Sequence, residues 1–322
     1  MVTSYDALHD ALHDALHDTP YCNVIFIIKE DFVMIYTLKN DKLTVGISPV
    51  GAQVASAISP DGCEYIWQAD PAFWGKHGPV LFPICSSLFE GKYTYKGKTY
   101  EMGKHGFAKL MEFEGKQTSD TSVTLTLTDS DETREVYPFA FSLQVTYTLN
   151  GDTLDCAVLM KNTGDEVMPA TFGGHPGFSL PLGGEGDFSD YSLTFSAPCD
   201  LKSVVFDKDF YDSGARASYP LEEGVRMPLS HELFAIDGIF LADMAEAVTL
   251  SSPKASHAVT VSYGDAPYLG IWSSANRGKF LCIEPWWGMA SRAGVRDIME
   301  KDHMFHLAPG EEKALSMAMR FH

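Results

Sequence analysis

Basic side chains are scarce in this sequence. Its 322 residues include 24 lysines and arginines against 43 aspartates and glutamates, which gives a formal net charge of −19. Nucleic acids and anionic membrane surfaces are bound through stripes of lysine and arginine, and no such stripe is visible. The composition therefore argues against nucleic acid or a membrane as partner. It also argues against a strongly anionic ligand, unless a local pocket overrides the global field.

Long apolar runs and paired cysteines are also missing. The longest apolar run, Val24–Ile28, ends at Lys29 and is far shorter than the roughly 20 residues that a spanning helix needs. The acidic N-terminus lacks the basic segment of a secretory signal. The six cysteines are scattered, with no Cys-x-x-Cys pair, unlike a disulfide framework or a zinc ribbon. We therefore expect a cytoplasmic protein with reduced thiols.

Several common catalytic signatures are absent. The sequence contains no G-x-S-x-G elbow, no G-x-x-x-x-G-K-[ST] phosphate loop, no G-x-G-x-x-G dinucleotide turn and no H-E-x-x-H zinc helix. Any chemistry must therefore come from histidines and carboxylates in less common settings.

What the sequence does contain, from residue 21 onward, is alternation of apolar and polar residues. The clearest segments are 123–128, 141–149 and 154–160, and turn signals such as Asn150-Gly151 separate them. Alternation is typical of antiparallel sheets with one face packed and the other solvated. No β-α-β rhythm or break in composition divides the chain, so we predict a single all-β sandwich domain over residues 21–322.

The first twenty residues contain a tandem repeat. The unit Asp-Ala-Leu-His recurs from Asp6 to Asp18 and places His9, His13 and His17 at the i, i+4 spacing of a metal-chelating helix. A helix of this length is marginal alone, and exact repetition is typical of sequence expansion. We expect residues 1–20 to be an appended, helical or frayed leader, with a metal or docking element as the alternative.

Two glycine-rich segments centre on histidines. His175 lies within the sequence GGHPGF, where three glycines and a proline constrain the backbone, a costly setting for a merely structural side chain. His105 lies within GKHG at residues 103–106, and the same four letters recur at residues 75–78 around His77. The patterns alone leave a simple turn and a functional site open for each histidine.

A carboxylate stands at the end of an apolar strand in the sequence FLCIEPWWG. The period of two puts Glu284 and Trp286 on one face of that strand. A buried glutamate is usually paired or functional, because burial of an unpaired charge is expensive. An aromatic ring beside a hydrogen-bonding acid is also how proteins hold a sugar. The alternative is a salt-bridged glutamate beside core tryptophans.

Taken together, these segments resemble the aldose 1-epimerase (galactose mutarotase) family, in its short bacterial-type branch. The resemblance rests on HGFA at His105, GHP at His175 and CIEPW around Glu284, in that order, and runs from about Tyr36 to the C-terminus. His77 is outside the family motif, so we expect it to be structural.

The resemblance implies an antiparallel β-supersandwich and a cofactor-free, metal-free isomerase that interconverts the α and β anomers of a free hexose such as galactose or glucose. It implies that Glu284 is the general base, that His175 is the general acid and that His105 holds the ring oxygen and neighbouring hydroxyls. Asp237 matches the family's substrate-binding aspartate, and we also expect Trp286, Phe178 and Ser87 to bind the substrate. A homodimer is possible.

Two positions depart from the family pattern. Ser87 stands where the family usually has an arginine after its Phe-Pro segment, and Lys109 replaces the arginine that follows HGFA. A serine hydroxyl offers one donor where a guanidinium offers several in a fixed geometry. Loss of that arginine would weaken sugar binding, change the preferred sugar, or mark a member that binds without turnover.

Two alternatives to a neutral-sugar epimerase stay open. A hexose-phosphate epimerase of the same fold would need a cluster of lysine or arginine at the pocket rim, which the low basic content disfavours. A non-catalytic carbohydrate-binding protein would keep the fold without the chemistry. With the acid and base both in place, we expect an enzyme with a neutral aldose as its small-molecule partner.

Overall fold

The alternating segments of the sequence form the central strands of the protein. The computed structural model describes residues 26–28 and 31–322, and the predicted leader, residues 1–20, lies outside the described residues. The segments predicted at 123–128, 141–149 and 154–160 are strands Ser122–Thr128, Phe141–Asn150 and Thr153–Asn162. The predictions of these strands are therefore confirmed.

Two large sheets dominate the fold, and every strand pair in the described part of the chain is antiparallel. Strands are numbered in chain order. The nine-stranded sheet contains, in spatial order, β17 (Arg226–Pro228), β14 (Ser192–Phe195), β19 (Ala247–Ser251), β20 (Val259–Ser262), β24 (Glu312–Phe321), β11 (Thr153–Asn162), β10 (Phe141–Asn150), β9 (Ser122–Thr128) and β8 (Glu114–Ser119). The six-stranded sheet contains β13 (Gly177–Ser179), β22 (Phe280–Trp286), β21 (Tyr268–Trp272), β18 (Ile239–Ala242), β15 (Lys202–Phe206) and β16 (Asp212–Ser218).

Smaller sheets and short helical turns complete the described structure. The small sheets pair β1 (Phe26–Ile28) with β2 (Asp31–Val33), β3 (Tyr36–Lys39) with β4 (Thr44–Ser48) and β5 (Gln53–Ile58), β6 (Lys92–Tyr95) with β7 (Lys98–Glu101), and β12 (Met168–Ala170) with β23 (Phe305–Leu307). The 3-10 turns are Phe89–Gly91, Ala108–Leu110, Leu182–Gly184, Phe188–Asp190 and His231–Phe234.

Helix is nearly absent from the described residues. The α-helix α1 (Asp131–Val136) begins at a capping box in which the side chains of Ser130 and Thr133 each accept from the other's backbone N–H. In the part of the chain that the structure covers, no helix has the length and apolar character needed to cross a membrane.

The inner faces of the two large sheets share one hydrophobic core. Along β10, Phe141, Leu143 and Val145 are at most 1% exposed, while the residues between them are partly exposed. The same cluster of buried side chains includes Ile271 and Ile283 of the six-stranded sheet. Two antiparallel sheets packed in this way confirm the predicted all-β supersandwich.

The described cysteines do not form disulfides. Those described as free are Cys63, Cys85, Cys156, Cys199 and Cys282. Cys22 lies outside the described residues.

Strand β22 positions the candidate site because its two faces differ. Leu281 and Ile283 point into the main core, whereas Cys282, Glu284 and Trp286 occupy the opposite face. Across the sheet, Gly270 of β21 pairs with Glu284, and a Cβ at residue 270 would lie 3.2 Å from the Cβ of Glu284. The fold therefore brings a carboxylate to the end of a buried strand, opposite a residue without a side chain.

The packing of β10 leads to a stability prediction. Leu143→Ala removes a fully buried side chain and should lower the free energy of unfolding by about 2–5 kcal/mol. Gln144→Ala, on the opposite face of the same strand, should change it by less than about 0.5 kcal/mol. Urea unfolding followed by tryptophan fluorescence measures both. Equal effects of the two substitutions would contradict the assignment of faces.

Candidate functional site

The centre of the candidate site is a close approach between an imidazole and a carboxylate. Nε2 of His175 lies 3.2 Å from Oε2 of Glu284, and the two side chains are 12% and 2% exposed. The atoms are close but not aligned as a hydrogen bond, and within the described residues neither Oε2 of Glu284 nor Nδ1 of His175 has a hydrogen-bond partner. Buried polar atoms without partners are rare, so this pair is suited to a ligand that supplies them.

His105 is fixed next to this pair by its backbone. Its φ of 69° lies in the left-handed region, and its N–H donates to the carbonyl of Ser86 over 2.7 Å. The N–H of Ser86 in turn donates to Nδ1 of His105 over 3.1 Å. Since Nδ1 accepts, the ring proton is on Nε2, which is left free to donate. The ring stands edge-on to His175 and to Trp286, with centroid distances of 5.7 and 5.3 Å.

Aromatic rings enclose the histidine. Trp74 is stacked on His175 at a centroid distance of 5.0 Å, and Trp272 meets it edge-on at 5.9 Å. Trp286, on the same face of β22 as Glu284, packs against Phe240 at 4.7 Å and is only 1% exposed. The indole N–H of Trp286 also lacks a partner among the described residues. These rings bury the pair. The unpartnered atoms of His175, Glu284 and Trp286 are therefore shielded from water.

A small cavity near the pair is lined by two of the residues that the sequence predicts to bind substrate. Ser87 and Asp237 line it together with Ser86 and Lys104. The ammonium of Lys104 lies 3.9 Å from Oδ2 of Asp237. The cavity is completed by Phe206, Phe210, Gly238 and Phe240.

Phe178 does not join this group of side chains. It pairs with Leu281 of β22, so its ring is on the core face of the sheet, and it is 0% exposed. Residues directly opposite in an antiparallel pair share a face, which places Phe178 on the opposite side from Glu284. The predicted contact of Phe178 with a ligand is therefore replaced by a role in the core, because Phe178 pairs with the core residue Leu281.

Burial favours the uncharged form of each member of the pair. Together with the positive charges of Lys104, Lys109 and Lys76, it lowers the pKa of His175 to about 3. It raises the pKa of Glu284 well above its ordinary value, with Lys104 opposing this effect and Asp237 adding to it. The pKa of His105 is well below its ordinary value for the same reason, burial, followed by the charge of His175. The pair is therefore suited to hold one proton on the carboxyl group of Glu284, with the imidazole of His175 neutral.

Three lysines affect the pKa values of the site's histidines in a protein with a large negative charge. Lys76, Lys104 and Lys109 each act on both His105 and His175. The ammonium of Lys109 donates to the carbonyl oxygen of Lys104, which puts these two residues side by side. Sequence reasoning did not assign Lys76 or Lys104 a role, although the repeated Gly-Lys-His-Gly pattern that contains both was visible.

The repeat also explains the position of His77. Nδ1 of His77 lies 2.7 Å from the carbonyl oxygen of Trp67, and the carbonyl of His77 accepts from the N–H of Gly177. These contacts of His77 hold its loop against the segment that follows His175. They agree with the structural role expected for His77. Trp74, which covers His175, had no motif to identify it, because its sequence neighbours are ordinary turn residues.

One group of side chains could hold a metal ion. His175, Cys282 and Glu284 each offer one ligand atom, and these atoms lie within 4.8 Å of one another. Burial raises the pKa of the Cys282 thiol well above its ordinary value, so the thiolate that binds soft cations is disfavoured. The expectation that the protein uses no metal stays a prediction, and a cation bound here would occupy the facing atoms of His175 and Glu284.

Comparison with known proteins gives a consistent result. Residues 34–320 match the family model described as aldose 1-epimerase. Protein LacX (chromosomal) of Lactococcus lactis subsp. lactis is 34% identical over 279 residues, which cover 83% of this chain and 92% of LacX. The structure of a galactose mutarotase related enzyme from Lactobacillus acidophilus superposes with a TM-score of 0.84 at 37% identity, covering 90% of this chain and 97% of that one.

A second solved structure shows the same similarity. A galactose mutarotase-like protein from Lactobacillus casei has a TM-score of 0.82 at 33% identity, covering 89% of this chain and 100% of that chain. The fold and the matched residues define a galactose mutarotase-like β-supersandwich. The chain belongs to the aldose 1-epimerase family.

The buried carboxyl leads to a prediction about stability and pH. Because the folded-state pKa of Glu284 is raised, the folded protein loses stability as pH rises from about 4.5 toward that pKa, by about 1.4 kcal/mol per pH unit. Glu284→Gln has no proton to lose, so its free energy of unfolding relative to the unsubstituted protein should increase from pH 5 to pH 8. Chemical denaturation at the two pH values measures this.

Glu185→Gln is the matched control. Hydrogen bonds from Ser256 lower the pKa of Glu185, so its contribution is complete above about pH 4.5 and should not change between pH 5 and pH 8. A pH-independent difference for Glu284→Gln would contradict the assigned direction of the shift.

Proposed function

We propose that the protein is an active aldose 1-epimerase that interconverts the α and β anomers of an aldopyranose by acid- and base-assisted ring opening. The observation that carries this proposal is the buried pair of His175 and Glu284, with polar atoms left unpartnered next to a cavity lined by Ser87 and Asp237. Membership of the aldose 1-epimerase family and the similarity to two structures described as galactose mutarotase-related support it.

Ring opening requires two proton movements at neighbouring oxygens. A base removes the proton of the C1 hydroxyl, the bond between C1 and the ring oxygen breaks, and an acid donates a proton to that oxygen. The product is an open-chain aldehyde. Rotation about the C1–C2 bond and closure in the reverse sense give the other anomer. By family resemblance, Glu284 is the base and His175 is the acid.

The pair needs only one exchangeable proton for this cycle. For ring opening, the proton that burial favours on Glu284 is first transferred to His175, which leaves Glu284 ionised. After it, Glu284 carries the proton taken from O1 and His175 is neutral. Ring closure returns both groups to the starting state. Burial favours the uncharged arrangement, in which Glu284 is protonated and His175 is neutral. The site therefore lowers the energy of the ring-opened state relative to the state with ionised Glu284 and protonated His175.

The other side chains would hold the sugar in place for this exchange. Nε2–H of His105 is free to donate to the ring oxygen region, since Nδ1 is engaged by Ser86. Asp237 and Ser87 would bind hydroxyl groups from the cavity wall. Trp286 would limit the position of the ring edge and keep water from Glu284, because it is packed between His105 and Phe240.

A direct test follows the approach of a freshly dissolved α-aldose to anomeric equilibrium by polarimetry or NMR. We expect the purified protein to accelerate it, and Glu284→Gln to lower kcat/KM by about 100-fold or more, since loss of a general base typically costs 10²–10⁴-fold. Glu64→Gln is the matched control. Glu64 is also largely buried, with its pKa raised to about 7, but it accepts from Ala57 and Ile66 outside the site.

The outcomes separate an enzyme from a binding protein. Acceleration that disappears in Glu284→Gln and persists in Glu64→Gln supports the proposal. An uncatalysed rate across several aldoses would overturn it, and calorimetric sugar binding under the same conditions would then identify a non-catalytic carbohydrate-binding member of the family. Repeating the assay with a chelator tests the expectation that no metal is needed: unchanged activity supports it.

A further inference from the structure

One face of the His175 imidazole is covered by an indole. The ring of Trp74 is stacked on it, with a centroid distance of 5.0 Å and an angle of 28° between the planes. On the edge of the imidazole, Nε2 faces Glu284 at 3.2 Å, and Nδ1 has no hydrogen-bond partner among the described residues. An aromatic face attracts a cation within about 6 Å of the ring centroid, and tryptophan does so most strongly. The indole is therefore placed to interact with the protonated form of His175.

Two glycines allow the indole to approach the histidine this closely. A Cβ at residue 177 would lie 3.0 Å from Cζ3 of Trp74, and a Cβ at residue 78 would lie 2.5 Å from the carbonyl oxygen of His175. The N–H of Gly177 also donates to the carbonyl of His77 over 3.0 Å. A side chain at Gly177 would press on the indole, and one at Gly78 would push the whole loop away. These glycines therefore keep the loop that carries Trp74 against the GGHPGF segment.

Other contacts fix the position of the indole. The carbonyl of Trp74 accepts from Nε1–H of Trp67 over 2.8 Å, and its N–H donates to the carbonyl of Asp70 over 2.9 Å. Its ring is also stacked on Phe280 at 5.5 Å and meets Trp272 edge-on at 5.3 Å. A ring held in this way keeps its orientation relative to the imidazole.

The proposed reaction uses the charged form of this imidazole. The proton of Glu284 is transferred to His175 before the ring opens, which places an imidazolium in a buried setting. Burial opposes this step, since it favours the neutral imidazole. The unpartnered Nδ1 shows that no second acceptor among the described residues stabilises the charge. An attraction that is stronger for the imidazolium than for the neutral ring lowers the free energy of the proton transfer.

We propose that Trp74 is a positioning residue of the reaction, whose indole stabilises protonated His175 by a cation–π interaction and so assists the proton transfer from Glu284. This inference rests on the proposed function and adds a residue to its mechanism. It also gives the glycine-rich setting of His175 a role, because the close approach of the two segments is what brings the indole onto the imidazole.

The first test removes the aromatic face. Anomer exchange is followed by NMR for a neutral aldose. We expect Trp74→Leu to lower kcat about tenfold and Trp74→Phe, which keeps a weaker aromatic face, to lower it only about threefold. KM should stay within about twofold, because Trp74 is not among the residues that line the cavity beside Ser87 and Asp237.

The second test separates the charge of the ring face from its packing. Two variants carry 4-methylphenylalanine or 4-cyanophenylalanine in place of Trp74. The two side chains are similar in size, but the cyano group withdraws electrons and weakens the negative face of the ring. We expect kcat with the methyl-substituted ring to exceed kcat with the cyano-substituted ring by about threefold or more.

Phe73 is the matched control position. It precedes Trp74 in the same loop, and its ring meets Trp67 edge-on at a centroid distance of 6.2 Å. The same two side chains in place of Phe73 should give equal values of kcat. Equal kcat for the two variants at position 74, however far below that of the unsubstituted protein, would show that Trp74 acts by packing alone and would overturn the inference. A change in KM without a change in kcat would overturn it as well.

The failure of this inference differs from the failure of the proposed function. If the unsubstituted protein does not accelerate anomer exchange for any aldose, both are overturned. If the unsubstituted protein is active and loses its activity in Glu284→Gln, but the two variants at position 74 have equal kcat, the epimerase is retained and the role of Trp74 is rejected.

Discussion

The organisation of the site depends on the burial of one imidazole and one carboxyl group against each other. His175 and Glu284 approach to 3.2 Å inside a shell of aromatic rings. In water, the imidazole of a histidine and the carboxyl group of a glutamate each titrate at their ordinary pKa. Here burial moves the two pKa values in opposite directions, so the pair keeps one proton over a wide range of pH. The sheet provides this environment, because one face of β22 is core and the other carries Glu284.

Much of this arrangement follows from local patterns in the sequence. Period-two alternation predicts the strands and places Glu284 and Trp286 on the same face, as the structure has them. Phe178 shows the limit of that reasoning. It is the last residue of the GGHPGF segment, but which face a strand residue occupies depends on its partner, here Leu281 of β22. That pairing joins segments about one hundred residues apart, and no local pattern records it.

Net charge describes the whole chain and gives little information about the site. Summed over the chain, the excess of acid excludes polyanionic partners, but a substrate interacts with the few groups within about a Debye length. The fold places Lys76 and Lys104 near His175 from two loops that share the sequence Gly-Lys-His-Gly. Ser87 and Lys104 line the same cavity, so the replacement of the family arginine by Ser87 leaves a cation there.

The central claim is that the pair of His175 and Glu284 holds a single mobile proton near neutral pH. The most direct measurement is the pH dependence of kcat/KM for anomer exchange between pH 5 and pH 7, on an aldose with no group that titrates in that range. The account predicts a constant kcat/KM, because burial places the pKa of His175 at about 3 and that of Glu284 well above its ordinary value. A change with a midpoint near 6.5, the pKa of an ordinary solvated histidine, would contradict it.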